Sequence, residues 1–316
     1  MKTAQNKSPA PTKLVDKLIR KFQQRVPVRT GSLLVTIFGD CIAPRGGVVW
    51  LGSLIDVLAP FGISHRLVRT AVYRLVQDKI LENEQIGRRS YYSLTQAGRR
   101  AFVEATNRIY AESLRPWDGY WTLLVTSQLS TEEKAALKKD VEWLGFRALG
   151  SDLLAHPSAD EELLQAHLQT RPSSHKLVIM KAQVPPISAA TSLHTLVRET
   201  WSLPDIEAAY EEFLRLFHPV LNALQANKKL RGVDAFYLRT CLIHEYRRVL
   251  LRDTALPTEL LPPTWKGHTA YQLTKELYQR TALPSEEFVD TAFQNQVGQL
   301  PPVNEQFKFR FGGLSD

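Results

Sequence analysis

The chain has only two cysteines among its 316 residues, which excludes a small secreted domain held together by disulfides. Cys41 and Cys241 both lie in apolar sequence with helical spacing, and this predicts buried free thiols. His244 follows Cys241 at a spacing of three, but a single pair of this kind is a weak zinc signal. We therefore expect no metal ion and no other cofactor.

Membrane, targeting and catalytic signatures are also missing. No apolar run approaches the roughly 20 residues that a transmembrane helix needs, and no apolar segment of a secretion signal follows the basic N-terminus. The sequence contains no nucleophile elbow, Walker loop, Gly-x-Gly-x-x-Gly or Ser-His-Asp arrangement. We expect a cytoplasmic protein with no membrane partner and no catalytic residues.

The excess positive charge lies in the first third of the chain. The formal net charge is +8 at pH 7. Residues 1–110 contain 18 lysines and arginines against 7 aspartates and glutamates, whereas residues 111–316 contain 22 against 25. This asymmetry favours a polyanionic partner for the N-terminal part, although by itself it does not separate DNA from RNA or an acidic membrane surface.

Residues 64–79 predict an amphipathic helix with one cationic face, and Ser64 is expected to be its N-cap. The apolar positions form two adjacent rows: Leu67, Val68, Ala71, Val72, Leu75 and Val76. The opposite face carries His65, Arg66, Arg69, Thr70, Tyr73 and Arg74. Arginine matches guanine edges and phosphates, and hydroxyl groups reach phosphates, so this face suits a DNA major groove. An ordinary solvated basic helix is the alternative.

The neighbouring sequence predicts a winged helix-turn-helix over residues 30–112. The expected elements are helix 32–42, helix 48–58, the helix at 64–79, strand 80–86, strand 90–94 and helix 96–112. Pro60 and Gly62 indicate a tight turn before the cationic helix. A hairpin after that helix is a wing, and Arg88 and Arg89 at its tip are expected to contact the minor groove or flanking phosphates.

Residues 1–29 form a basic N-terminal arm in this interpretation. Residues 1–12 are expected to be disordered, and residues 13–26 predict a helix with an apolar stripe and a basic remainder. Such a helix could lie on a membrane surface. The remaining two thirds of the chain is not basic, which favours instead packing on the following domain or on a partner subunit, with the basic side of the helix toward DNA.

Residues 115–185 predict a ferredoxin-like middle domain, because the expected elements follow the order β-α-β-β-α-β. Such a domain can be catalytic, but no cluster of acidic residues stands at metal-ligand spacing. Asp118 is the nearest candidate, and we expect it to cap a turn with Gly119.

Residues 187–283 predict a mostly helical C-terminal domain for effector binding and dimerisation, and residues 284–316 predict a tail. Three residues of one helix share a side through i, i+3 and i+4 spacing and could bind an anion such as a phosphate. Tryptophans could stack on an aromatic group of the same ligand. The candidate effector-binding residues are His244, Arg247, Arg248, Trp265 and Trp201. A structural ion-pair network is the alternative, since buried arginines are usually paired.

Several stretches match the pattern of a known family. They are Arg29-Thr-Gly-Ser-Leu33, Ser64 to Leu75, Arg115-Pro-Trp-Asp-Gly-Tyr-Trp121, and His244-Glu-Tyr-Arg-Arg248 with Arg252-Asp253, Leu256-Pro257 and Leu260-Leu261-Pro262. In these residues the chain resembles the PaaX-type bacterial transcriptional repressors of phenylacetic acid catabolism. The match covers most of the chain, and its last two stretches are the more specific.

The resemblance implies an N-terminal winged helix, a middle domain similar to a CRISPR-adaptation endonuclease fold, and a helical C-terminal domain. It also implies release from operator DNA when phenylacetyl-coenzyme A binds. We therefore interpret the chain as an α+β multidomain homodimeric repressor of double-stranded operator DNA, and not as an enzyme. Two rivals stay open: an RNA-binding or nuclease-like protein centred on residues 115–185, and a coenzyme A-thioester enzyme that uses His244 as base.

Overall fold

The computed structural model describes residues 10–25, 29–110, 117–169, 171–185, 190–226 and 229–314, without the side chain of Glu104. Several predictions therefore lie outside the described residues. They are the disorder of residues 1–9, the helical position of Val26, the last two residues of the helix predicted at 96–112, and Arg115 and Pro116 of the family pattern.

The described chain is an α+β protein. Its helices, in chain order, are α1 (Pro11–Gln23), α2 (Thr30–Ile37), α3 (Leu51–Leu58), α4 (His65–Gln77), α5 (Gln96–Tyr110), α6 (Thr131–Glu142), α7 (Glu161–Gln169), α8 (Ala190–Thr200), α9 (Leu203–Gln225), α10 (Gly232–Leu250), α11 (Lys266–Ala292) and α12 (Glu305–Lys308). Its strands are β1 (Val48–Trp50), β2 (Leu81–Ile86), β3 (Arg89–Leu94), β4 (Tyr120–Val125), β5 (Arg147–Gly150), β6 (Leu153–His156), β7 (Val178–Gln183), β8 (Gln294–Asn295) and β9 (Gly298–Gln299). No helix among the described residues is long and apolar enough to cross a membrane.

The chain divides into two compact units. The first comprises Met1–Glu112, Glu211–Arg248 and His268–Asp316, and the second comprises Ser113–Tyr210 and Val249–Gly267. This division differs from the predicted boundaries, because much of the segment predicted as a separate C-terminal domain belongs to the first unit.

The first unit is built around α10. All residues from 234 to 246 are buried, so this helix has no solvent-facing side over more than three turns. A helix buried on every side lies in a core, and its polar members therefore need internal partners. Arg239 finds its partners in Asp40, within the π-helix at Phe38–Ile42 that continues α2, and in Glu286 of α11, and His244 contacts Thr36 of α2.

The N-terminal helix α1 begins at Pro11, so the prediction of disorder is wrong for residues 11 and 12, and this helix packs on the same unit. Val15, Leu18 and Phe22 are buried, and the Phe22 ring meets the rings of Phe61 and His244 at centroid distances of 5.1 and 5.5 Å. Of the interpretations left open for this segment, packing on the neighbouring domain is therefore the one that the described residues show.

A three-stranded antiparallel sheet of order β1-β3-β2 completes the N-terminal part. The prediction of a helix from residue 48 is wrong at its start, because Val48–Trp50 forms β1 and pairs with β3. Gly46 and Gly47 have φ angles of +80° and +76°, which turn the chain before this strand. Helix α3 begins only at Leu51.

The C-terminal residues are not a tail. Helix α11 continues to Ala292, and a short hairpin and α12 follow it. Phe307, Arg310 and Phe311 are all buried in the first unit. The apolar residues of this segment are too sparse to show a period, so only their long-range contacts reveal its packing.

The second unit contains an antiparallel sheet of order β5-β6-β4-β7. Along the chain its elements follow the order β4, α6, β5, β6, α7 and β7. Leu124 and Leu154 of the sheet pack with Leu137 of α6 and Leu164 of α7 in one apolar core. Asp118 accepts a hydrogen bond from the backbone N–H of Tyr120 at 2.9 Å, which is the turn-capping role expected for it.

Candidate nucleic-acid interface and ligand cavity

Helix α4 presents a polar, cationic face to solvent. Ser64 caps its N-terminus by accepting a hydrogen bond from the N–H of Leu67 at 3.4 Å. Val68, Ala71, Val72 and Leu75 are buried beneath the helix, as predicted. The predicted contact residues are all exposed: Ser64, His65, Arg66, Arg69, Thr70, Tyr73 and Arg74.

Leu67 departs from the predicted stripe, because it is 45% exposed. It lies at the margin of the apolar face, beside Arg66 and Thr70. The side of α4 open to a partner is therefore wider than the sequence indicated, and it includes one apolar side chain. A leucine beside arginines can contact the methyl group of thymine.

The hairpin that follows α4 has a two-residue turn, Gly87-Arg88, because Ile86 pairs with Arg89. Arg88 is exposed at the tip, as predicted. Arg89 opens strand β3, and its guanidinium carbon lies 4.5 Å from the Trp50 ring centroid. The prediction that joined Arg88 and Arg89 in one tip therefore needs correction, since Arg89 stacks on a neighbouring strand.

Asp40 is the buried charged centre of the first unit. Its Oδ2 accepts a hydrogen bond from Nε of Arg239 at 2.6 Å, and its Oδ1 accepts one from Nη1 of Arg310 at 3.0 Å. The hydroxyls of Tyr110 and Tyr278 also donate to Oδ1, at 2.7 and 2.8 Å. Asp40 is therefore satisfied on both oxygens by α5, α10, α11 and the C-terminal residues.

The charges in this cluster hold one another ionised. Burial alone would raise the pKa of the Asp40 carboxyl, but the adjacent charges of Arg239 and Arg310 outweigh it and the pKa lies below its usual value. Arg239 also donates to Glu286 at 2.6 Å, and Glu286 in turn pairs with Arg45. Sequence reasoning missed this cluster; its signals were a lone aspartate in an apolar helix and a lone arginine in another.

Of the candidate effector residues, His244, Arg247 and Arg248 lie in the first unit. His244 is buried, its Nδ1 lies 3.2 Å from Oγ1 of Thr36, and burial lowers its pKa to about 4. Arg248 is exposed and pairs with Glu245 at 3.3 Å, which supports the ion-pair alternative for this residue. A neutral histidine and a paired arginine leave Arg247 as the remaining cation of the trio.

Arg247 is half-buried and uses only backbone and hydroxyl acceptors. Its Nη1 donates to the carbonyl oxygen of Ser32 at 3.3 Å and to Oγ1 of Thr36 at 3.2 Å. No carboxylate of the residues that the structure describes lies within ion-pair distance of its guanidinium. Burial lowers the pKa of this group, as expected for a cation without a neutralising partner.

Trp201 and Trp265 belong to the second unit, so the structure does not gather all five candidates within one unit. Trp201 is buried and donates from Nε1 to the carbonyl oxygen of Gly145 at 3.0 Å. Trp265 is also buried, with its ring 5.9 Å from that of Tyr210. Stacking of either indole on a ligand stays a prediction.

A cavity of about 250 Å³ opens beside Arg247 in the first unit. Its lining comes from α2, the π-helix, α5, α10 and the residue that precedes β2. The lining residues are Val35, Thr36, Gly39, Asp40, Ile80, Ala101, Phe102, Ala105, Thr106, Ile109, Tyr110, Ile243 and Arg247. Most of them are apolar, so the cavity resembles a small-molecule site that carries a few polar groups.

The described residues give no evidence of a metal site or of a reactive thiol. No group of three or more His, Cys, Asp or Glu residues there could hold a metal ion. Cys41 and Cys241 are buried free thiols, as expected from the sequence, and burial raises the pKa of both.

Comparison with known proteins identifies the general class and then the family. The chain is 39% identical over 302 residues to "Transcriptional repressor PaaX" of Escherichia coli (strain K12), which covers 95% of this chain and 96% of that protein. This similarity supports placing the chain in the class of transcriptional repressors. The family descriptions "PaaX-like protein" and "PaaX-like protein C-terminal domain" match residues 29–98 and 201–291. The chain belongs to the PaaX family.

A solved structure of an uncharacterized protein from Mycobacterium tuberculosis is 20% identical, with a TM-score of 0.47. The match covers 74% of this chain and 89% of that one, and it is too distant to carry an argument.

Proposed function

We propose that this chain is a cytoplasmic transcriptional repressor that binds double-stranded operator DNA through α4. The observation that carries the proposal is the exposed polar face of this helix, which holds three arginines and no acidic residue. A helix of 13 residues is about 20 Å long, which suits insertion into a major groove. The similarity to a protein named as a transcriptional repressor supports the same function.

The proposal includes a winged helix-turn-helix within residues 30–112. Helices α3 and α4 are separated by a short turn, and the β2–β3 hairpin follows α4 directly. Arg66 and Arg69, near the N-terminus of α4, are the proposed base readers. Thr70, Tyr73, Arg74 and the hairpin residue Arg88 are the proposed phosphate or minor-groove contacts, whereas Arg89 would act by fixing the hairpin against Trp50.

We propose that the second unit is a ferredoxin-like domain. We also propose that two copies of the chain form a homodimer through this domain. The order of its elements along the chain supports that fold. Strand β7 lies at an edge of the sheet, and Val178, Ile179 and Met180 on it are 43 to 51% exposed. Unpaired backbone and exposed apolar side chains suit pairing with a second copy. Sedimentation velocity tests this assembly, and a monomer at micromolar concentration would contradict it.

Phenylacetyl-coenzyme A is the proposed effector, on the strength of the family resemblance. The exposed Arg248 could bind one of its phosphates in exchange for Glu245. An effector releases DNA only if it binds the DNA-free geometry more tightly than the DNA-bound one. A gel shift on an operator-containing fragment, with and without this thioester, tests the effector directly.

The sharpest test of DNA reading is the Arg69→Ala variant. A bidentate contact to guanine is worth about 1–3 kcal/mol of discrimination, so operator affinity should fall about 5- to 150-fold while affinity for random duplex falls much less. Arg280→Ala is the matched control, because Arg280 is an exposed arginine that pairs with Glu276 on α11. Equal losses on both duplexes would make Arg69 a phosphate contact, and no loss on either would remove α4 from the interface.

A further inference from the structure

The cavity of the first unit combines apolar walls with one cation, Arg247, that has no carboxylate partner among the described residues. Ile80, Phe102, Ile109 and Ile243 line the cavity together with Arg247. A purely apolar cavity would favour a neutral ligand, and a purely polar one would favour water. This combination instead favours a ligand that has an apolar body and a single anionic end.

The other charges that the structure describes around the cavity, those of Asp40 and His244, are neutralised. Asp40 accepts hydrogen bonds from Arg239 and Arg310, so it has no capacity left to pair with Arg247. His244 is neutral near pH 7 because burial depresses its pKa to about 4. Nε and Nη2 of Arg247 donate to none of the residues that the structure describes, which leaves them free for an incoming acceptor.

We propose that this cavity binds a small amphipathic monocarboxylate, with its carboxylate on Arg247 and its apolar body between α2, α5 and α10. Arginine is suited to this role because its planar fork donates two parallel hydrogen bonds to a carboxylate. The two N–H donors that Ser32 and Thr36 occupy hold the guanidinium in place before the ligand arrives.

The cavity volume limits the size of the ligand. An apolar protein cavity of about 150 Å³ accommodates benzene, so about 250 Å³ suits a molecule of roughly ten non-hydrogen atoms. A complete coenzyme A thioester is several times larger and has no carboxylate at its acyl end. The proposed ligand is therefore a free acid, chemically distinct from the thioester effector.

Occupancy of the cavity would reach the DNA-binding elements directly. Ile80 stands between α4 and β2, and its carbonyl oxygen accepts hydrogen bonds from the N–H of Thr95 at 3.1 Å, at the base of the hairpin. Helix α5, which begins just after Thr95, supplies Ala101, Phe102 and Ala105 to the cavity. A ligand that moves α5 would thus shift the hairpin relative to α4; this regulatory role rests on the proposed function.

Isothermal titration calorimetry on the full chain without DNA tests the site itself. Octanoate and 3-phenylpropionate are the probes, and octanamide and 3-phenylpropanamide are their neutral counterparts. Both acids should bind, and both amides should bind at least about tenfold more weakly, because they lose a charge-assisted pair of hydrogen bonds.

Variants separate the cavity from general surface charge. Arg247→Gln should weaken binding of the acids about tenfold or more, and Arg280→Gln, at an exposed arginine that pairs with Glu276 on α11, should leave it within about twofold. Ala105→Leu should abolish binding by filling the cavity, and it keeps the proposal testable if Arg247→Gln fails to fold. Equal binding of acids and amides, equal effects of the two glutamine variants, or binding of phenylacetyl-coenzyme A without binding of the acids would overturn the proposal.

A gel shift with and without octanoate then tests the coupling. Operator affinity should change about fivefold or more on saturation of the cavity, and no change would refute the regulatory role. Absence of DNA binding altogether would contradict the proposed function and leave the calorimetric result standing. Binding of DNA without binding of any acid would contradict the proposed carboxylate site and leave the proposed function standing.

Discussion

Asp40→Asn should strongly destabilise the first unit. The variant removes the carboxylate that neutralises Arg310, and Asp40 is the only carboxylate within ion-pair distance of Arg310 among the described residues. Arg239 keeps Glu286 at 2.6 Å, so one of the two arginines, not both, loses its compensation. Breaking a buried pair by removing one partner costs about 3–5 kcal/mol, and this is the loss expected in the free energy of unfolding.

The local geometry supports the upper part of this range. The two tyrosine hydroxyls that donate to Oδ1 of Asp40 can still donate to an amide oxygen. The amide nitrogen would then face Nε of Arg239, which donates to the carboxylate at 2.6 Å in the native chain. Two donors would meet where a donor and an acceptor stood, so the variant loses a hydrogen bond in addition to the charge pair.

Urea unfolding, with hydrogen exchange followed in peptides of α2 and α10, measures this loss. Asp290→Asn is the matched control, because Asp290 pairs with Arg45 at 2.8 Å but its side chain is 51% exposed. Its loss should be at most about 1 kcal/mol. If the free energy of unfolding of Asp40→Asn lies within about 1 kcal/mol of the native value, the reasoning is refuted, since a buried Arg310 without a counter-ion should destabilise the fold by more than that.

The pH dependence gives an independent check on the same group. The pKa of Asp40 in the folded chain lies below its usual value, so its contribution is present above the unfolded pKa and is lost as the pH falls through the folded pKa. The Asp40→Asn variant has no such group. Its stability should therefore fall less steeply than that of the native protein below about pH 4.

Two further predictions concern a close backbone contact and a buried histidine. A Cβ on Gly98 would lie 2.3 Å from the carbonyl oxygen of Ile80, so Gly98→Ala should cost about 1–3 kcal/mol in thermal or urea unfolding. Gly31→Ala, which meets nothing within 4 Å in helix α2, should instead be neutral or stabilise by up to about 1 kcal/mol; equal effects of the two substitutions would contradict the contact. The folded pKa of His244 is about 4, below its unfolded value, so unfolded chains bind the proton first and stability falls as the pH drops from about 6.5 toward 4. His244→Gln should remove up to about 3 kcal/mol of that fall in unfolding experiments across this range, and an unchanged slope would mean that His244 is not buried in its neutral form.

Local features of the chain were predictable from the sequence. The α4 helix follows from a 3.6-residue period and a serine cap, and its observed bounds, His65–Gln77, lie within two residues of the predicted ones. The β2–β3 hairpin follows from two short runs typical of strands on either side of Gly87. These elements depend on residues close together in the chain, so their pattern is visible without the fold.

Features that depend on distant residues were not predictable in the same way. Val48–Trp50 becomes a strand because β3, far along the chain, supplies the hydrogen-bonding partner. The cavity beside Arg247 is lined by residues of α2, α5 and α10, and only the fold brings these three helices together. The sequence showed the arginine but not that, among the described residues, no carboxylate pairs with it, which is what makes the site a candidate for an anion.

The position of Arg310 has a consequence for the order in which the protein matures. Residues 10–110 contain the whole cationic helix and hairpin, and they leave the ribosome before α10 and α11. The cation that helps to neutralise Asp40, together with the buried rings of Phe307 and Phe311, is synthesised among the final residues of the described chain. A nascent chain therefore carries the cationic helix on an unfinished core until residues 307–311 have been synthesised and can pack against Asp40.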